Sequence, residues 1–246
     1  MKKKIIKFLN YFRLYLSKLI KHTIPTKDDT KSSFDNYKND MLRESYNHFK
    51  EHFKSSVFIT NKMLHFDYSI RKSIELNGGK SDGLFMEFGV YKGANVNYIS
   101  RYAEKVYGFD TFTGLTEDWT GGNVNHFKGS YSLGGKVPKV NKNVTLIKGD
   151  VRDTLEDFLK NNNSKITFCS IDIDTYETTK FILSKIKHKF SSNTIIHFDE
   201  FYDFVGWMEG EYKAFREEIE NDESFTFNYL AFTKDSSAVT VEVKKK

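Results

Sequence analysis

The sequence predicts an α/β fold whose sheet is mostly parallel and ends in an antiparallel hairpin. From residue 84 onward, short apolar runs alternate with segments of helical periodicity, which is the pattern of βαβ units with right-handed crossovers. The last two strand-like runs, SFTFNYLAFT and SAVTVEVK, are separated only by Lys234–Ser236, and so short a turn joins antiparallel strands.

Each element follows from its own pattern. Apolar runs predict five strands before the hairpin, over Leu84–Phe88, Val106–Phe109, Val144–Ile147, Ile166–Ile171 and Thr194–Phe198. Helical periodicity predicts helices over Met41–Phe53, Val57–Leu76, Ala94–Tyr102, Thr154–Asn161 and Tyr176–Phe190. With the hairpin, the prediction is a seven-stranded sheet with helices on both faces and an N-terminal helical extension.

The N-terminal stretch differs from the rest of the chain in charge. Residues 1–25 carry seven basic residues and no acid, with apolar residues at helical spacing, so a basic amphipathic helix is predicted. It is too polar to span a membrane, and it suits either an anionic membrane surface or packing against its own domain or a partner subunit. A polar linker is predicted over Pro25–Asp40, so that residues 1–40 form an extension and residues 41–246 the main domain.

Charge and cysteine content exclude some functions. The net charge of the whole chain is +5, and because residues 1–25 hold seven basic residues, the remainder is slightly acidic. Nucleic-acid binding is therefore not expected of the main domain. The single cysteine, Cys169, excludes a disulfide framework and favours a reducing, cytoplasmic compartment.

A glycine-containing loop follows the first strand of the alternating region, in MEFGVYKGAN. Gly89 and Gly93 allow a sharp turn and the close approach of a ligand. The helix predicted to start near Ala94 offers backbone N–H groups to an anion, and Asn95 is predicted to cap it. Two of the three glycines of a dinucleotide-binding fingerprint are missing.

Five successive strands of this region end in an acidic residue. They are Glu87, Asp110, Asp150, Asp172, and the pair Asp199 and Glu200. Ligands of open α/β sheets bind at the carboxyl ends of the strands, so these acids indicate a binding site there. An acid about 20 residues after the glycine loop, as Asp110 is, can hold the hydroxyls of a ribose.

The segments EFGVYKG, YGFDTFTGLTEDW, GDVRDTL, SIDIDTYETT and FDEFYDFVGWMEGEYKAF resemble, in order and spacing, class I S-adenosylmethionine-dependent methyltransferases. More narrowly, they resemble the macrocin O-methyltransferase (TylF-type) sugar methyltransferases. The resemblance covers roughly residues 83–243. It implies a Rossmann-like fold, S-adenosylmethionine as cofactor, a divalent cation, and methyl transfer to a hydroxyl of a sugar or glycosylated small molecule.

The resemblance also implies residue roles. Glu87, Gly89 and Gly93 would frame the methionine end of the cofactor, Asp110 the ribose, and Asp150 with Val151 the adenine. Asn95 is also expected among the cofactor-binding residues. Asp172, Asp199 and Glu200 would bind the cation, with Asp172 also the base that accepts the proton of the acceptor hydroxyl. Three oxygen ligands suit Mg²⁺. Glu200 replaces the more usual Asp, and Asp174 is interpreted as a helix cap.

The acceptor is expected at the same edge. The long insertion Thr116–Val140 predicts a lid or acceptor pocket, with Lys128 and Tyr131 as contacts, and Trp207 is predicted to stack on a sugar ring. His126 and His197 are further candidates for the base, although a histidine in a strand, as His197 is, is more often a core residue.

Three other interpretations stay open at this point. They are a catechol-type small-molecule O-methyltransferase, a nucleotide-binding oxidoreductase, and a non-catalytic protein of the same fold in a membrane-associated assembly. Homo-oligomerisation and a peripheral membrane contact through residues 1–25 are also left open.

Overall fold

The computed structural model describes residues 32–119 and 126–246. The amphipathic helix predicted over residues 1–25 lies outside these residues. The chain divides into two units, Met1–Asn39 and Asp40–Lys246. The predicted domain boundary after residue 40 depends largely on residues that the structure does not describe, and it stays a prediction.

The described residues form α1 (Ser33–Phe49), β1 (Val57–Ile59), α2 (Lys62–Leu76), β2 (Leu84–Phe88), α3 (Ala94–Ile99), β3 (Val106–Asp110), β4 (Val144–Lys148), α4 (Val151–Asn161), β5 (Ile166–Ile171), α5 (Tyr176–Ile186), β6 (Phe190–Phe198), α6 (Glu211–Phe215), β7 (Phe225–Thr233) and β8 (Val239–Lys245). No helix among them is long and apolar enough to span a bilayer.

The strands of the described residues form one sheet in the order β1-β7-β8-β6-β5-β2-β3-β4. β8 pairs antiparallel with β6 and β7, and all other pairs are parallel. This confirms the predicted fold class, including the terminal hairpin. The sheet has one strand more than predicted, because β1 adds to its edge beside β7.

Two predicted boundaries were wrong near the N-terminus. The stretch predicted as a helix over Val57–Leu76 begins with β1, and α2 starts only at Lys62, where the Asn61 side chain accepts a hydrogen bond from the Leu64 amide. The predicted linker Pro25–Asp40 is helical from Ser33. There Ser32 and Asp35 exchange hydrogen bonds as a capping box, which the polar composition had hidden.

Apolar side chains fill both faces of the sheet, so helices cover both. One core cluster packs Phe49, at the end of α1, and the helices α4, α5 and α6 against side chains such as Met86 and Ile171. The other packs α2 and α3 against Phe85 and Phe168, whose positions alternate with the first set along β2 and β5. Cys169 is fully buried in the first cluster, as a small core residue.

The strand order places a switch point between β2 and β5. From there, β3 and β4 extend to one side and β6 to the other, so the loops after β2 and β5 diverge and leave a crevice. The carboxyl ends of β2, β3, β5 and β6 are in register, because Phe88 pairs with Phe109 and Ile171, and Ile171 pairs with Phe198. The acidic residues that follow these strands therefore meet at one edge.

Candidate active site

A cleft of about 310 Å³ opens at this edge of the sheet. This volume is at the lower end of the range for small-molecule sites. Its walls include Gly89 and Tyr91 after β2, Asp110 at the end of β3, Thr111 and Leu115 in the loop that follows, Gly149, Asp150 and Val151 after β4, Asp172, Asp174 and Thr178 after β5, Asp199 and Glu200 after β6, and also Lys62 and Tyr131.

Gly89 is required by the approach of two loops. Its φ is +88°, and a Cβ atom there would lie 1.8 Å from the backbone oxygen of Asp172. The glycine thus lets the loop after β2 pack directly against the loop after β5, in addition to leaving room in the cleft. Gly93 is the N-cap of α3 in the left-handed region, with φ +84°, and it lies outside the cleft lining.

The carboxylate of Asp110 is held by backbone amides. Its Oδ2 accepts hydrogen bonds from the amides of Val90, at 2.8 Å, and Tyr91, at 2.7 Å, and its Oδ1 accepts one from the Phe112 amide at 2.6 Å. A carboxylate has about four acceptor positions, so roughly one remains for a ligand in the cleft. Asp110 therefore both shapes the loop after β2 and faces the cleft.

Asp150 caps α4 and forms an ion pair. Its Oδ1 accepts from the Arg152 amide at 2.9 Å, and its Oδ2 lies 2.6 Å from a guanidinium nitrogen of Arg152. These hydrogen bonds lower the pKa of Asp150. Asp150 and Val151 both line the cleft, at the end farther from the acids after β5 and β6 along the sheet order.

Glu87 lies beneath the cleft rather than in its wall. It is fully buried in β2, and its carboxyl oxygens have no hydrogen-bond partner of good geometry among the described residues. Burial and the charge of Asp172 raise its pKa well above the usual value, and the nearby Asn95 side chain offsets this only in part. Asn95 thus faces Glu87, and the prediction that it caps α3 was wrong because Gly93 occupies the cap.

Three carboxylates converge where β5 and β6 end. One oxygen each of Asp172, Asp174 and Glu200 lies within 4.8 Å of the other two. Asp174 has φ +64°, an uncommon conformation for a residue with a side chain. The turn that it makes brings its carboxyl back beside the other two.

Burial and mutual repulsion perturb these acids. The pKa of Asp172 is raised well above its usual value by burial, and then by Asp199 and Asp174. The pKa of Glu200 is raised likewise by burial, and then by Asp199 and Asp172. Its Oε2 is buried without a hydrogen-bond partner among the described residues. A bound cation would relieve both the repulsion and the orphaned oxygen, so these residues fit one.

Asp199 is already paired. Its Oδ2 lies 2.6 Å from Nζ of Lys62, in the first turn of α2. Although burial alone would lower the pKa of Lys62, the charge of Asp199 and its hydrogen bond raise it, and Asp172 and Glu200 add to the effect. Lys62 is therefore the ammonium group at this acidic end of the cleft lining.

A fifth acid, Glu211, connects the loops after β5 and β6 through hydrogen bonds. It is fully buried, and its Oε2 accepts from the Glu200 amide at 3.1 Å. Its Oε1 faces the amide of Ile173 at 3.4 Å, between Asp172 and Asp174. This contact keeps the loops after β5 and β6 at a fixed separation.

The three residues predicted to contact an acceptor lie in different places. Tyr131 lines the cleft, and its hydroxyl is 3.3 Å from Nε2 of His126. Lys128 is exposed outside the cleft lining, where its backbone amide donates to Asp118. Trp207 is 1% exposed and packs between the rings of His48 and Tyr212, so the prediction that it stacks on a sugar was wrong.

His197 is not available as a base in the cleft. It is 2% exposed, and its Nδ1 lies 3.1 Å from the hydroxyl of Ser69. Burial lowers its pKa well below the usual value. It is a core residue, which was the interpretation favoured by its place in a strand.

Sequence reasoning missed two residues of the site. Asp174 had been interpreted as a cap, and only its left-handed turn shows that its carboxyl joins Asp172 and Glu200. Lys62 stands in a stretch that is distant in sequence from the strand ends, and no local pattern distinguishes it. Tyr91, a further cleft residue, lies within the quoted glycine loop.

Comparison with known proteins agrees with this geometry. Residues 86–201, a little under half of the chain, match the model of a family described as a methyltransferase domain. This match supports the prediction of a methyltransferase domain. A search of curated protein sequences finds no match.

Two solved structures show the same fold. One is the crystal structure of CalS11, a calicheamicin methyltransferase, at 21% identity over 86% of this chain and 93% of that chain, with a TM-score of 0.55. The other is the apo structure of CalS11, described as a TDP-rhamnose 3′-O-methyltransferase of calicheamicin biosynthesis, at 22% identity over 93% of this chain and 91% of that chain, with a TM-score of 0.51. At such identities, the likeness establishes the fold.

Proposed function

We propose that this protein transfers the methyl group of S-adenosylmethionine to a hydroxyl of a sugar or glycosylated small molecule, with the help of a divalent cation. The observation that carries the proposal is the single cleft in which the residues expected to bind the cofactor, Gly89, Asp110, Asp150 and Val151, face the cluster of Asp172, Asp174 and Glu200. The methyltransferase-domain match over residues 86–201 supports the chemistry.

The cofactor would lie along the ends of β2, β3 and β4. Asp110 has about one acceptor position left for a ribose hydroxyl, and Asp150 and Val151 would border the adenine. Glu87 and Asn95 lie under the loop after β2 and would act by holding its shape. S-adenosylmethionine supplies a methyl group on a positively charged sulfur, which a hydroxyl oxygen can attack.

The acidic cluster would deprotonate and orient the acceptor. A sugar hydroxyl is a weak nucleophile whose pKa lies not far below that of water, about 15.7, so its proton needs a base and its oxygen needs stabilisation. Asp172, which lines the cleft beside the other carboxylates, would accept the proton. Tyr131 lines the same cleft.

A divalent cation would be held by Asp172 and Glu200, with Asp174 or Asp199 as the third carboxylate. It would stabilise negative charge developing on the acceptor oxygen. Carboxylate oxygens favour Mg²⁺ over zinc, which prefers nitrogen and sulfur ligands.

Two arguments support a sugar acceptor. The sequence resembles TylF-type sugar methyltransferases, and one protein of the same fold is described as a TDP-rhamnose 3′-O-methyltransferase. The cleft rim also carries the rings of Tyr91 and Tyr131, whose centroids are 5.7 Å apart, and such faces pack well against a sugar.

The test is methyl transfer from isotope-labelled S-adenosylmethionine to a panel of nucleotide sugars, glycosides and catechols, with Mg²⁺ or with excess EDTA. We expect labelled methyl ether on a sugar, with the rate reduced at least a hundredfold by EDTA and restored by Mg²⁺. A product formed only on catechols would overturn the sugar assignment. Full activity in EDTA would overturn the role of the cation.

A further inference from the structure

Lys62 reaches the acidic cluster from outside the matched methyltransferase domain. It lies in the first turn of α2, ahead of residues 86–201, and its Nζ is 2.6 Å from Oδ2 of Asp199. The side chain of Asp199 is only 8% exposed, whereas that of Lys62 is 56% exposed. The ion pair thus closes over a buried carboxylate from the solvent side.

The position of Lys62 is fixed by how α2 packs on the sheet. His65, one turn further along α2, is hydrogen-bonded through its two ring nitrogens to Thr233 and Thr240 of β7 and β8. Ser69, in the following turn, contacts Thr240 at 2.6 Å and His197 at 3.1 Å. These buried polar contacts fix α2 against the sheet, so its first turn stands at the strand ends beside Asp199.

We propose that Lys62 removes Asp199 from the cation site, and that Asp174 takes its place beside Asp172 and Glu200. This inference rests on the proposed function only for the presence of a cation. The ammonium of Lys62 lies in hydrogen-bond contact with Asp199, and a divalent cation on the same carboxylate would meet a like charge within a few ångströms. Asp174 forms no ion pair among the described residues, although the charges of His126 and Lys62 partly offset the rise that burial causes in its pKa, and it forms the compact group with Asp172 and Glu200.

The distances suit this ligand set. Mg²⁺ holds its ligands at 2.0–2.1 Å, so oxygens on opposite sides of the ion are about 4.2 Å apart. The three carboxylates, with one oxygen each within 4.8 Å of the others, reach such spacing by small side-chain movements. Oε2 of Glu200 is buried and has no hydrogen-bond partner among the described residues, so a cation would satisfy it.

The experiment measures cation binding directly, by calorimetric titration of the full-length protein with Mg²⁺ and Mn²⁺. The variants are Asp174→Asn, and the double variant Lys62→Gln/Asp199→Asn. The double variant removes one positive and one negative charge, so the net charge of the site is unchanged and only the ion pair is lost. Thermal unfolding of each variant verifies that it is folded.

We expect Asp174→Asn to weaken cation binding at least tenfold and the double variant to stay within about threefold of the wild type. A tenfold loss in the double variant, with Asp174→Asn unchanged, would make Asp199 the ligand and overturn the inference. Absence of cation binding to the wild-type protein at millimolar concentration would also overturn it.

A third variant tests the role of Lys62 itself. In Lys62→Met, the like charge is gone and Asp199 is free, so cation affinity should rise several-fold, whereas Lys62→Arg should keep the wild-type value. An unchanged or weaker affinity in Lys62→Met would contradict the inference. None of these measurements needs turnover, so their failure is distinguishable from failure of the proposed methyl transfer.

Discussion

Replacement of Asp110 should weaken cofactor binding and loosen the loop after β2 together. The Asp110 carboxylate accepts three backbone amides, at 2.6 to 2.8 Å, and has about one acceptor position left for a ribose hydroxyl. A hydrogen bond to a charged group contributes about 1.5–3 kcal/mol. Asp110→Ala should therefore weaken S-adenosylmethionine binding by about tenfold to a hundredfold.

The same substitution should also lower stability. The three backbone amides that donate to Asp110 are at most partly buried, so water can replace the carboxylate in part. A net loss of about 1 kcal/mol for each hydrogen bond lowers the free energy of unfolding by roughly 3 kcal/mol. In Asp110→Asn, the amide nitrogen would have to face at least one backbone N–H, so this variant should fall between the wild type and Asp110→Ala.

Calorimetric titration with S-adenosylmethionine, at a temperature where each variant is folded, measures the affinity, and denaturant unfolding measures the stability. Asp157→Ala is the control, since Asp157 is an exposed acid on α4 that pairs only with Lys160 among the described residues. If folded Asp110→Ala binds the cofactor within twofold of the wild type, the assignment of Asp110 to the ribose is refuted.

Three further outcomes are expected. Burial lowers the pKa of His65 to about 4, so this residue alone should cost the protein about 3 kcal/mol of stability as the pH falls from 6.5 to 4. In denaturant unfolding, His65→Gln should therefore lose less stability than the wild type over that interval. Gly89→Ala should lose about 2–4 kcal/mol of stability and most of its activity, because its Cβ would lie 1.8 Å from the Asp172 backbone oxygen. Gly129→Ala is the control for backbone strain alone, since Gly129 also has a positive φ but no neighbouring atom within 4 Å of such a Cβ. Deletion of residues 2–25 should leave turnover of a small acceptor within about twofold, and loss of folding would instead place that segment in the core.

The sequence predicts the central part of this fold well because the strands are buried on both faces. Continuous apolar runs such as Leu84–Phe88 and Ile166–Ile171 can hardly be anything but interior strands once helical segments alternate with them. The edge strand β1 was not predicted, since only three residues pair with β7 and two of them are exposed. Its existence depends on a partner more than 170 residues away.

The site is predictable in part for a similar reason. Asp110 and Asp172 follow predicted strands directly, and Glu200 lies one residue further from its strand, so parallel pairing alone brings them to one edge. Asp174 and Trp207 were interpreted incorrectly because their roles depend on local backbone direction: a left-handed turn carries Asp174 into the cluster, and Trp207 turns into the core. Lys62 was missed because its ion pair spans 137 positions.

Cofactor selectivity tests the central claim most directly. Titration of the full-length protein with S-adenosylmethionine, and separately with NAD, separates a methyltransferase from a nucleotide-dependent oxidoreductase on the same kind of sheet. We expect one S-adenosylmethionine to bind per chain with micromolar affinity, Asp110→Ala to weaken this binding, and NAD not to bind. No heat and no thermal stabilisation with millimolar S-adenosylmethionine, or tighter binding of NAD, would contradict it.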